Sequence, residues 1–528
     1  MGVVSFVELI APPGEDVYPS RPVWAGNQEV GVTAKNVSGQ AGRSRGSGGD
    51  TADGEKAEPA KLTGLLVAAA VVSAISATLY GYDTGIISGA LLQIRKDFHT
   101  GSGMEQIIAS SILLGAVIGA LACSRLSERR GRRVTILIIS GVFILGAIGS
   151  AVAPTTWTLS LGRLVLGLAV GGATQTVPMY VAELAPAKRR GQLVLTFQVG
   201  IGVGIVISTL VGASEALSWR ASIGLAAVPA LLMLILMLRL PESPRWLVKQ
   251  ADHDTARQVL GRIRPHGADI EEELTGIKQI EDEELQAGQG NRGWHGLRKP
   301  WIHPALLVGC GVAVFTQLSG IEMIIYYAPT ILTDNGFSTS AALQVSVGLG
   351  VTYLLMMIVG LSIVDRIGRR RLTMAMIPGA ALSLAVLGAL FVTGNSGPSD
   401  IPFIIACLIV FMFFNAGGLQ LMGYLTGSEI YPLAVRGAGT SAQSATLWGT
   451  NLLITLTLLT IINAVGVGQT MWLYALFNVG AFLFVWRRMP ELTGRSLEQI
   501  EGQLRTGHFK PKDFKHVQAA APSAPAAG

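Results

Sequence analysis

The chain has 528 residues, of which 50% are hydrophobic and 14% are charged, and its mean hydropathy is +0.49. Because soluble domains carry about 25% charged residues, this composition excludes a soluble multidomain protein and favours a chain surrounded mainly by lipid. The formal net charge is +6, but the basic residues lie in short clusters between apolar blocks, which argues against nucleic-acid binding and indicates membrane topology.

The N-terminal segment, residues 1–61, is polar and rich in glycine, serine and charged residues. It contains no apolar run long enough for a cleaved signal peptide. We therefore expect it to form a disordered cytoplasmic tail.

Apolar runs long enough to cross a bilayer recur twelve times along the rest of the chain. Since backbone exposed to lipid must satisfy its hydrogen bonds internally, each run is predicted to be a helix, and the predicted fold class is an all-α membrane protein. The predicted spans are residues 62–90, 107–124, 134–153, 157–181, 193–214, 221–238, 302–332, 341–364, 372–393, 401–427, 437–465 and 469–486.

One long polar interruption, residues 241–300, divides these spans into two six-helix bundles, residues 62–240 and 301–488. An acidic, helix-favouring stretch at 270–285 predicts that the interruption is a cytoplasmic helical linker. Residues 489–528 are expected to be a cytoplasmic C-terminal tail, because an even number of spans places both termini on one side.

Arginine and lysine clusters in short loops indicate which side is cytoplasmic. They occur at residues 125–133, 188–190 and 366–371, and the loops on the opposite side contain few basic residues. The pattern predicts a multi-pass protein of the cell membrane whose termini and linker are all cytoplasmic.

Two loop motifs occur once in each half, in the same order and at nearly equal offsets. The string from Glu128 to Arg133 (ERRGRR) recurs from Asp365 to Arg370 (DRIGRR), and Glu183-x-x-Pro-x-x-x-Arg190-Gly recurs as Glu429-x-x-Pro-x-x-x-Arg436-Gly. Such duplicated halves are typical of alternating-access carriers. The clusters alone would also suit simple topology anchors. Their repeated acid and arginine residues favour a cytoplasmic ion-pair gate made of Glu128, Arg129, Arg132, Glu183, Arg190, Asp365, Arg366, Arg369, Glu429 and Arg436.

Several further strings resemble motifs of the sugar porter family of the major facilitator superfamily. They are GYDTG at 81–85, PMYVAE at 178–183, PESPRWL at 241–247, QLSG at 317–320 followed by Tyr326-Tyr327, and PELTG at 490–494. Together with the repeated loops, the resemblance extends from about residue 62 to 501. It implies two pseudo-symmetric six-helix halves that carry a sugar by alternating access.

Asp83 is the most informative single residue, because a carboxylate near the centre of a membrane helix costs about 2.5–3.5 kcal/mol and must face a cavity or a partner. We expect Arg163, early in the fourth span, to be that partner. A purely structural aspartate is the alternative. In proton-coupled sugar porters, the residue resembling Asp83 carries the proton, and the residue resembling Arg163 modulates the pKa of that acid. Facilitators of the family lack the acid.

The resemblance also implies a sugar site of amides, hydroxyls and aromatic faces. A lone glutamine or asparagine in a span more often forms an interhelical hydrogen bond, and a lone aromatic residue suits a helix interface. Together, in matching strings, these residues favour a cavity. The implied positions are Gln198, Gln317, Tyr326, Trp448 and Asn451, with Tyr80 and Tyr424 as aromatic walls.

Glu322 departs from the family pattern, since it stands where sugar porters usually carry an asparagine that contacts substrate. A second carboxylate in a span would accept hydroxyl protons, join the proton pathway, or bind a substrate that is not a standard hexose. Thr316 also replaces the first of a common glutamine pair, and Leu447 replaces a common amide. The substrate therefore stays open among pentoses, hexoses and cyclitols.

The sequence as a whole predicts a proton-coupled monosaccharide symporter. The alternatives are a facilitative sugar uniporter, a symporter of a polyol or cyclitol such as inositol, and a membrane sugar sensor. An enzyme is not expected, because the seven histidines show no metal-ligand spacing and no nucleophile–base motif is visible. We expect a monomer whose partners are the sugar or polyol, the proton and the lipid bilayer, with no metal and no cofactor.

Overall fold

The computed structural model describes residues 63–186, 190–214, 217–264, 269–286, 293–394, 400–495 and 497–514. The predicted tail at 1–61 lies outside them. The helices of the first half are α1 Gly64–Phe98, α2 Ser102–Arg130, α3 Arg132–Ala151, α4 Thr156–Leu184, α5 Arg190–Ala213, α6 Trp219–Gly224 and α7 Ala227–Arg239. The linker carries α8 Pro244–Lys249, α9 His253–Ile263, α10 Ile270–Gln286 and α11 Gly293–Gly296.

The second half begins after a 3₁₀ turn at Pro300–Ile302. Its helices are α12 His303–Leu318, α13 Ile321–Asp334, α14 Thr339–Ile367, α15 Arg369–Val392, α16 Ile401–Ala416, α17 Leu419–Ile430, α18 Arg436–Val465 and α19 Val467–Arg488, and α20 Leu497–Arg505 follows them. Twelve helical segments of the described residues are long and apolar enough to cross a membrane, which confirms the predicted number of spans.

The outer surface of the bundle is apolar, as a protein in lipid requires. Large side chains such as Leu145, Leu382 and Leu476 are more than 60% exposed although they lie in the middle of spans. In water this surface would be an aggregation site, whereas in hydrocarbon it needs no covering. Polar side chains of the spans face inward instead, and this arrangement concentrates them along the contact between the two halves.

Close helix packing in the first half depends on glycine. Gly115 and Gly119 of α2 lie against α4 so closely that an added methyl group would meet the backbone of residues 164–168. Small residues of this kind let two membrane helices approach through their backbones. The contact holds α4, and with it Arg163, firmly against α2.

Two spans of the second half are broken near the bilayer centre, although the sequence predicts them as continuous runs. The seventh span bends at Gly320, whose φ of +98° is disfavoured for residues with a side chain, and divides into α12 and α13. The tenth span bends at Gly417 and Gly418 between α16 and α17. Broken helices expose free backbone ends near the bilayer centre, which is where carriers place substrate sites.

The linker and the start of the C-terminal segment fold together at one end of the bundle. The predicted helix at 270–285 is confirmed as α10, and Arg264 connects it to the bundle by donating to Glu273 on α10 and to the carbonyl of Leu184. Arg505 of α20 lies 4.3 Å from the ring centre of Trp301. Part of the predicted tail at 489–528 therefore packs against the turn that precedes α12.

Candidate transport site

The first element of the site is a buried ion pair between α1 and α4. Arg163 Nη2 lies 3.7 Å from Asp83 Oδ2, and the two side chains are 0% and 7% exposed. Arg163 is oriented by its Nε, which donates to the carbonyl of Ile108 at 2.9 Å. Its Nη1 and Nη2 atoms have no hydrogen-bond partner among the described residues. The sequence-predicted pair thus forms, at a separation that allows attraction without a hydrogen bond.

Tyr326 of α13 connects this pair to the second half. Its ring is 2% exposed, its hydroxyl lies beside Thr84, and it interacts electrostatically with both Asp83 and Glu322. Tyr326 therefore stands between the carboxyl group of the first half and that of the second. A change in charge at either carboxyl group therefore acts on the Tyr326 hydroxyl.

Buried polar atoms without hydrogen-bond partners gather among the predicted sugar-site residues. Since native interiors satisfy nearly all such atoms, a set of unsatisfied ones marks a place where a polar ligand or water belongs. The unsatisfied atoms are Gln198 Oε1, both amide atoms of Gln317, Glu322 Oε2, Tyr424 OH, Trp448 Nε1 and Asn451 Nδ2. They supply both donors and acceptors, as a polyhydroxylated ligand requires.

The aromatic wall of the site spans the two halves. Tyr80 of α1 and Trp448 of α18 meet edge to face with ring centroids 5.1 Å apart. Tyr424 of α17 lies near Tyr80. These three of the four predicted aromatic residues are therefore brought together at the interface, where a sugar ring could stack its C–H face.

The structure adds residues that sequence reasoning missed. Gln420 follows the break in the tenth span, is 5% exposed and has an unpartnered Oε1, and Tyr353 of α14 lies beside it. Asn415 precedes the same break, and both of its amide atoms lack partners. The sequence does not show whether a lone polar residue in an apolar run points toward lipid or toward the interior of the bundle. The nearby glycine pair at 417–418 was the signal that could have identified them.

The gate residues of the first half form one cluster. Arg132 makes a two-pronged ion pair with Glu183, at 2.9 and 3.0 Å, and donates Nη1 to the carbonyl of Ser127. The equivalent cluster of the second half is nearly the same, because Arg369 pairs with Glu429 at 3.0 and 2.7 Å and with Asp365 at 2.7 Å. Both predicted clusters form, but each joins helices of a single half rather than the two halves to each other.

Other predicted gate residues lie at the surface. Glu128, Arg129 and Arg366 are exposed. Glu128 lies nearest the other half, since a methyl group placed on Gly437 would be 3.7 Å from its Oε1. Arg436 donates its Nε to the carbonyl of Tyr431. The side chain of Arg190 lies outside the described residues.

Two further carboxylates, Glu242 and Glu491, complete the gate clusters and were not assigned a role from the sequence. Glu242 accepts hydrogen bonds from the backbone N–H groups of Arg132 and Arg133, and Glu491 accepts them from those of Arg369 and Arg370. These N–H groups begin α3 and α15, where a helix attracts anions. Burial raises the pKa of Glu242 above its ordinary value, and the backbone N–H groups oppose that rise.

Hydrogen bonds join the two halves at both membrane faces. At the face with the arginine-rich loops, Ser441 Oγ donates to Ser124 Oγ at 2.9 Å, and Gln175 donates to Thr440 at 3.3 Å. At the other face, Gln106 donates to Thr460 at 3.0 Å. The structure therefore represents a state in which the central residues are enclosed from both sides.

The face opposite the arginine-rich loops also carries an ion pair across the halves. Arg95 of α1 pairs with Glu105 of α2 at 2.6 Å and with Asp334 at the end of α13 at 2.8 Å.

Among the described residues, no group of three or more histidine, cysteine or carboxylate side chains is arranged to hold a metal ion.

Comparison with known proteins places this geometry in a family. A family model described as "Sugar (and other) transporter" matches residues 69–504. The D-xylose transporter of Levilactobacillus brevis is 36% identical over 436 residues, which cover 82% of this chain and 94% of the relative. The major myo-inositol transporter IolT of Bacillus subtilis is 33% identical over 449 residues, which cover 82% and 93%.

A solved structure shares the fold. The proton:xylose symporter XylE of E. coli, bound to 6-bromo-6-deoxy-D-glucose, aligns with a TM-score of 0.70 at 26% identity, over 83% of this chain and 99% of that chain. The predicted fold class is confirmed by this match. The chain belongs to the sugar porter family of the major facilitator superfamily.

Proposed function

We propose that this protein is a secondary active transporter that moves a monosaccharide together with a proton by alternating access. The observation that carries the proposal is the buried Asp83–Arg163 pair next to a set of unsatisfied polar atoms. A structural ion pair would not need such neighbours. A proton-binding group that is coupled to sugar transport does need polar neighbours that bind the sugar, because coupling requires the two ligands to influence the same interface.

In the proposed cycle, a proton neutralises Asp83 from the outer face, and the attraction to Arg163 is lost. Arg163 keeps its hydrogen bond to the Ile108 carbonyl, so it stays in place while Asp83 is released. The sugar then binds between Gln317 and the aromatic wall of Tyr80, Tyr424 and Trp448. The two halves then tilt relative to each other. When the proton leaves inward, Arg163 attracts the carboxylate again and resets the carrier.

The coupling supplies enough free energy for nutrient uptake. Moving one charge through a membrane potential of ~150 mV is worth about 3.5 kcal/mol. Each 1.4 kcal/mol corresponds to a tenfold concentration ratio, so one proton supports accumulation of roughly two to three decades.

The gate clusters would keep the ends of the two halves rigid at the face that carries the arginine-rich loops. With Arg132 and Arg369 each fixed inside its own half, the two clusters act as rigid ends that meet through short contacts such as Ser124 to Ser441. Rigid ends joined by weak contacts can separate without breaking their own ion pairs. This arrangement suits a rocking movement of whole halves.

We infer that the arginine-rich face is cytoplasmic in the cell membrane, because basic residues in short loops are retained there. The linker and both termini would then be cytoplasmic as well. We also propose that a single chain is the transporting unit, since the site is assembled from the two halves of one chain. The relatives that transport D-xylose and myo-inositol support a substrate of pentose, hexose or cyclitol size.

The test is uptake into proteoliposomes by the purified protein. A panel of radiolabelled pentoses, hexoses and cyclitols is offered with an inward proton gradient and again after its collapse by a protonophore. We expect at least one sugar or polyol to accumulate above its external concentration only while the gradient persists. Equilibration without accumulation would instead identify a facilitative uniporter, and no uptake of any compound would overturn the proposal.

A further inference from the structure

Glu322 is a buried carboxyl group that the proposed cycle does not use. It lies in the first turn of α13, directly after the break at Gly320, and is 2% exposed. Its Oε2 has no hydrogen-bond partner, and no lysine or arginine of the described residues forms an ion pair with it. Asp83, in contrast, has Arg163 opposite it. A buried carboxyl group without a cation is costly unless a ligand supplies positive charge or donors.

The surroundings of Glu322 are rich in hydrogen-bond acceptors and aromatic rings. Its carboxyl group interacts electrostatically with the hydroxyls of Tyr80, Tyr326, Tyr353 and Tyr424. Beyond Tyr353 lies Gln420, whose carbonyl oxygen is buried and unpartnered. The region therefore holds a carboxyl group near several phenols, one of which, Tyr353, lies beside an unpartnered amide oxygen.

The chemistry of this region differs from that of a site made for hydroxyl groups alone. A hydroxyl offers one donor and two acceptor positions, so it satisfies one unpaired acceptor and leaves its own acceptors to be matched. A protonated amine offers three donors, no acceptor and one positive charge. It would satisfy Glu322 Oε2, Gln420 Oε1 and a phenol oxygen together and compensate the buried charge. The faces of Tyr80 and Tyr424 favour a cation as well.

We propose that Glu322, Gln420, Tyr353 and Tyr424 form an ammonium-binding subsite, and that the substrate is a monosaccharide or cyclitol carrying a protonated amino group in place of one hydroxyl. This inference rests on the proposed transport function and narrows its substrate class. Gln317, Trp448 and Asn451 bind the remaining hydroxyls. Glu322 is the residue that discriminates between the amine and a hydroxyl.

The first experiment compares two probes in the unmodified protein. Competition by D-glucosamine and by D-glucose is measured against whichever labelled compound the proteoliposomes accumulate. We expect D-glucosamine to compete at a concentration about tenfold or more below that of D-glucose, because a hydrogen bond to a charged group contributes about 1.5–3 kcal/mol. Equal competition, or stronger competition by D-glucose, would overturn the ammonium subsite.

The second experiment locates the preference. Glu322→Gln keeps the shape and hydrogen bonding of the side chain but removes its charge, and is expected to lower the ratio of D-glucosamine to D-glucose affinity at least tenfold. Glu272→Gln, the same change at an exposed linker residue, should leave the ratio unchanged. An unaltered ratio in Glu322→Gln would refute the assignment. Absence of uptake of every labelled compound by the unmodified protein would overturn the transport proposal itself.

Discussion

Unsatisfied donor atoms separate candidate binding residues from packing residues of similar burial. Trp448 and Asn451 are fully buried, yet Trp448 Nε1 and Asn451 Nδ2 have nothing to donate to. Asn478 is equally buried and its Oδ1 also lacks a partner, but its Nδ2 donates to two carbonyls, at 2.9 and 2.8 Å. We therefore assign Trp448 and Asn451 to the substrate and Asn478 mainly to helix packing.

The indole nitrogen of Trp448 can be tested separately from its ring. Trp448→Phe keeps an aromatic face for Tyr80 but removes the donor, so the KM for the transported sugar should rise about 2- to 10-fold, which corresponds to one hydrogen bond of about 0.5–1.5 kcal/mol. Trp157→Phe, at an exposed position, is the matched control. A KM unchanged in Trp448→Phe would show that Nε1 does not bind substrate.

Charged residues of the site could be predicted from the sequence, whereas several neutral ones could not. Asp83 and Arg163 are visible as charges within apolar runs. Because a charge inside a membrane helix costs free energy, a functional role is the natural interpretation of both residues. Tyr353 and Gln420 carry no such cost, and only the fold shows that Tyr353 lies near Glu322 and that Gln420 lies beside Tyr353. Facing direction depends on helix rotation, which hydropathy does not determine.

At the scale of elements, the loop between α2 and α3 and the loop between α14 and α15 have the same structure. Gly131 and Gly368 both have positive φ, at +89° and +99°, and each leaves room for a carboxylate, Glu242 or Glu491, against the start of the next helix. The sequence predicted repeated clusters of acid and arginine in both loops. It did not predict that the acids after the sixth and twelfth spans would complete them, because that contact spans more than 100 residues.

Alanine at either turn should destabilise the protein. Gly131→Ala and Gly368→Ala force a side chain into a positive-φ, extended-ψ conformation that is essentially restricted to glycine, at a cost of about 1–3 kcal/mol. They also push the added methyl group into the Glu242 or Glu491 carboxylate. A lower thermal unfolding temperature of the detergent-solubilised protein is the expected result. Gly141→Ala, in a helix with open space around it, should not lower that temperature. If all three variants melt alike, the turns are not constrained as described.

The span boundaries were predicted well and the breaks within spans were not. Most predicted ends lie within a turn or two of the observed helices, since the change from apolar to polar sequence marks the membrane boundary. The bends at Gly320 and Gly417 leave hydropathy unchanged, so they are invisible to that signal. Both bends adjoin candidate site residues, Glu322 and Gln420, which links the unpredicted feature to function.

On the scale of the whole molecule, transport requires the contacts between halves to open at one face at a time. The enclosed state described here has hydrogen bonds across the halves at both faces. None of these contacts is a buried two-pronged ion pair, so each can be broken at modest cost. The strong pairs lie inside each half and keep it rigid during the movement.

A disulfide across the halves should therefore stop transport reversibly. Ser124→Cys and Ser441→Cys, whose native Oγ atoms are 2.9 Å apart, would be combined in a protein whose cysteines 123, 310 and 407 are replaced by serine. Oxidation should cross-link the pair and abolish uptake, and a reductant should restore it. Each single cysteine variant serves as a control. Full uptake by the cross-linked protein would exclude opening at that face.

Proton coupling through Asp83 is most directly tested by Asp83→Asn in proteoliposomes. We predict that this variant loses uphill accumulation under an inward proton gradient but still exchanges labelled for unlabelled substrate across the membrane, because the asparagine mimics the protonated carboxyl group. Asp400→Asn, outside the site, should accumulate substrate normally. Accumulation by Asp83→Asn equal to that of the unmodified protein would contradict the assignment of Asp83 as the proton carrier.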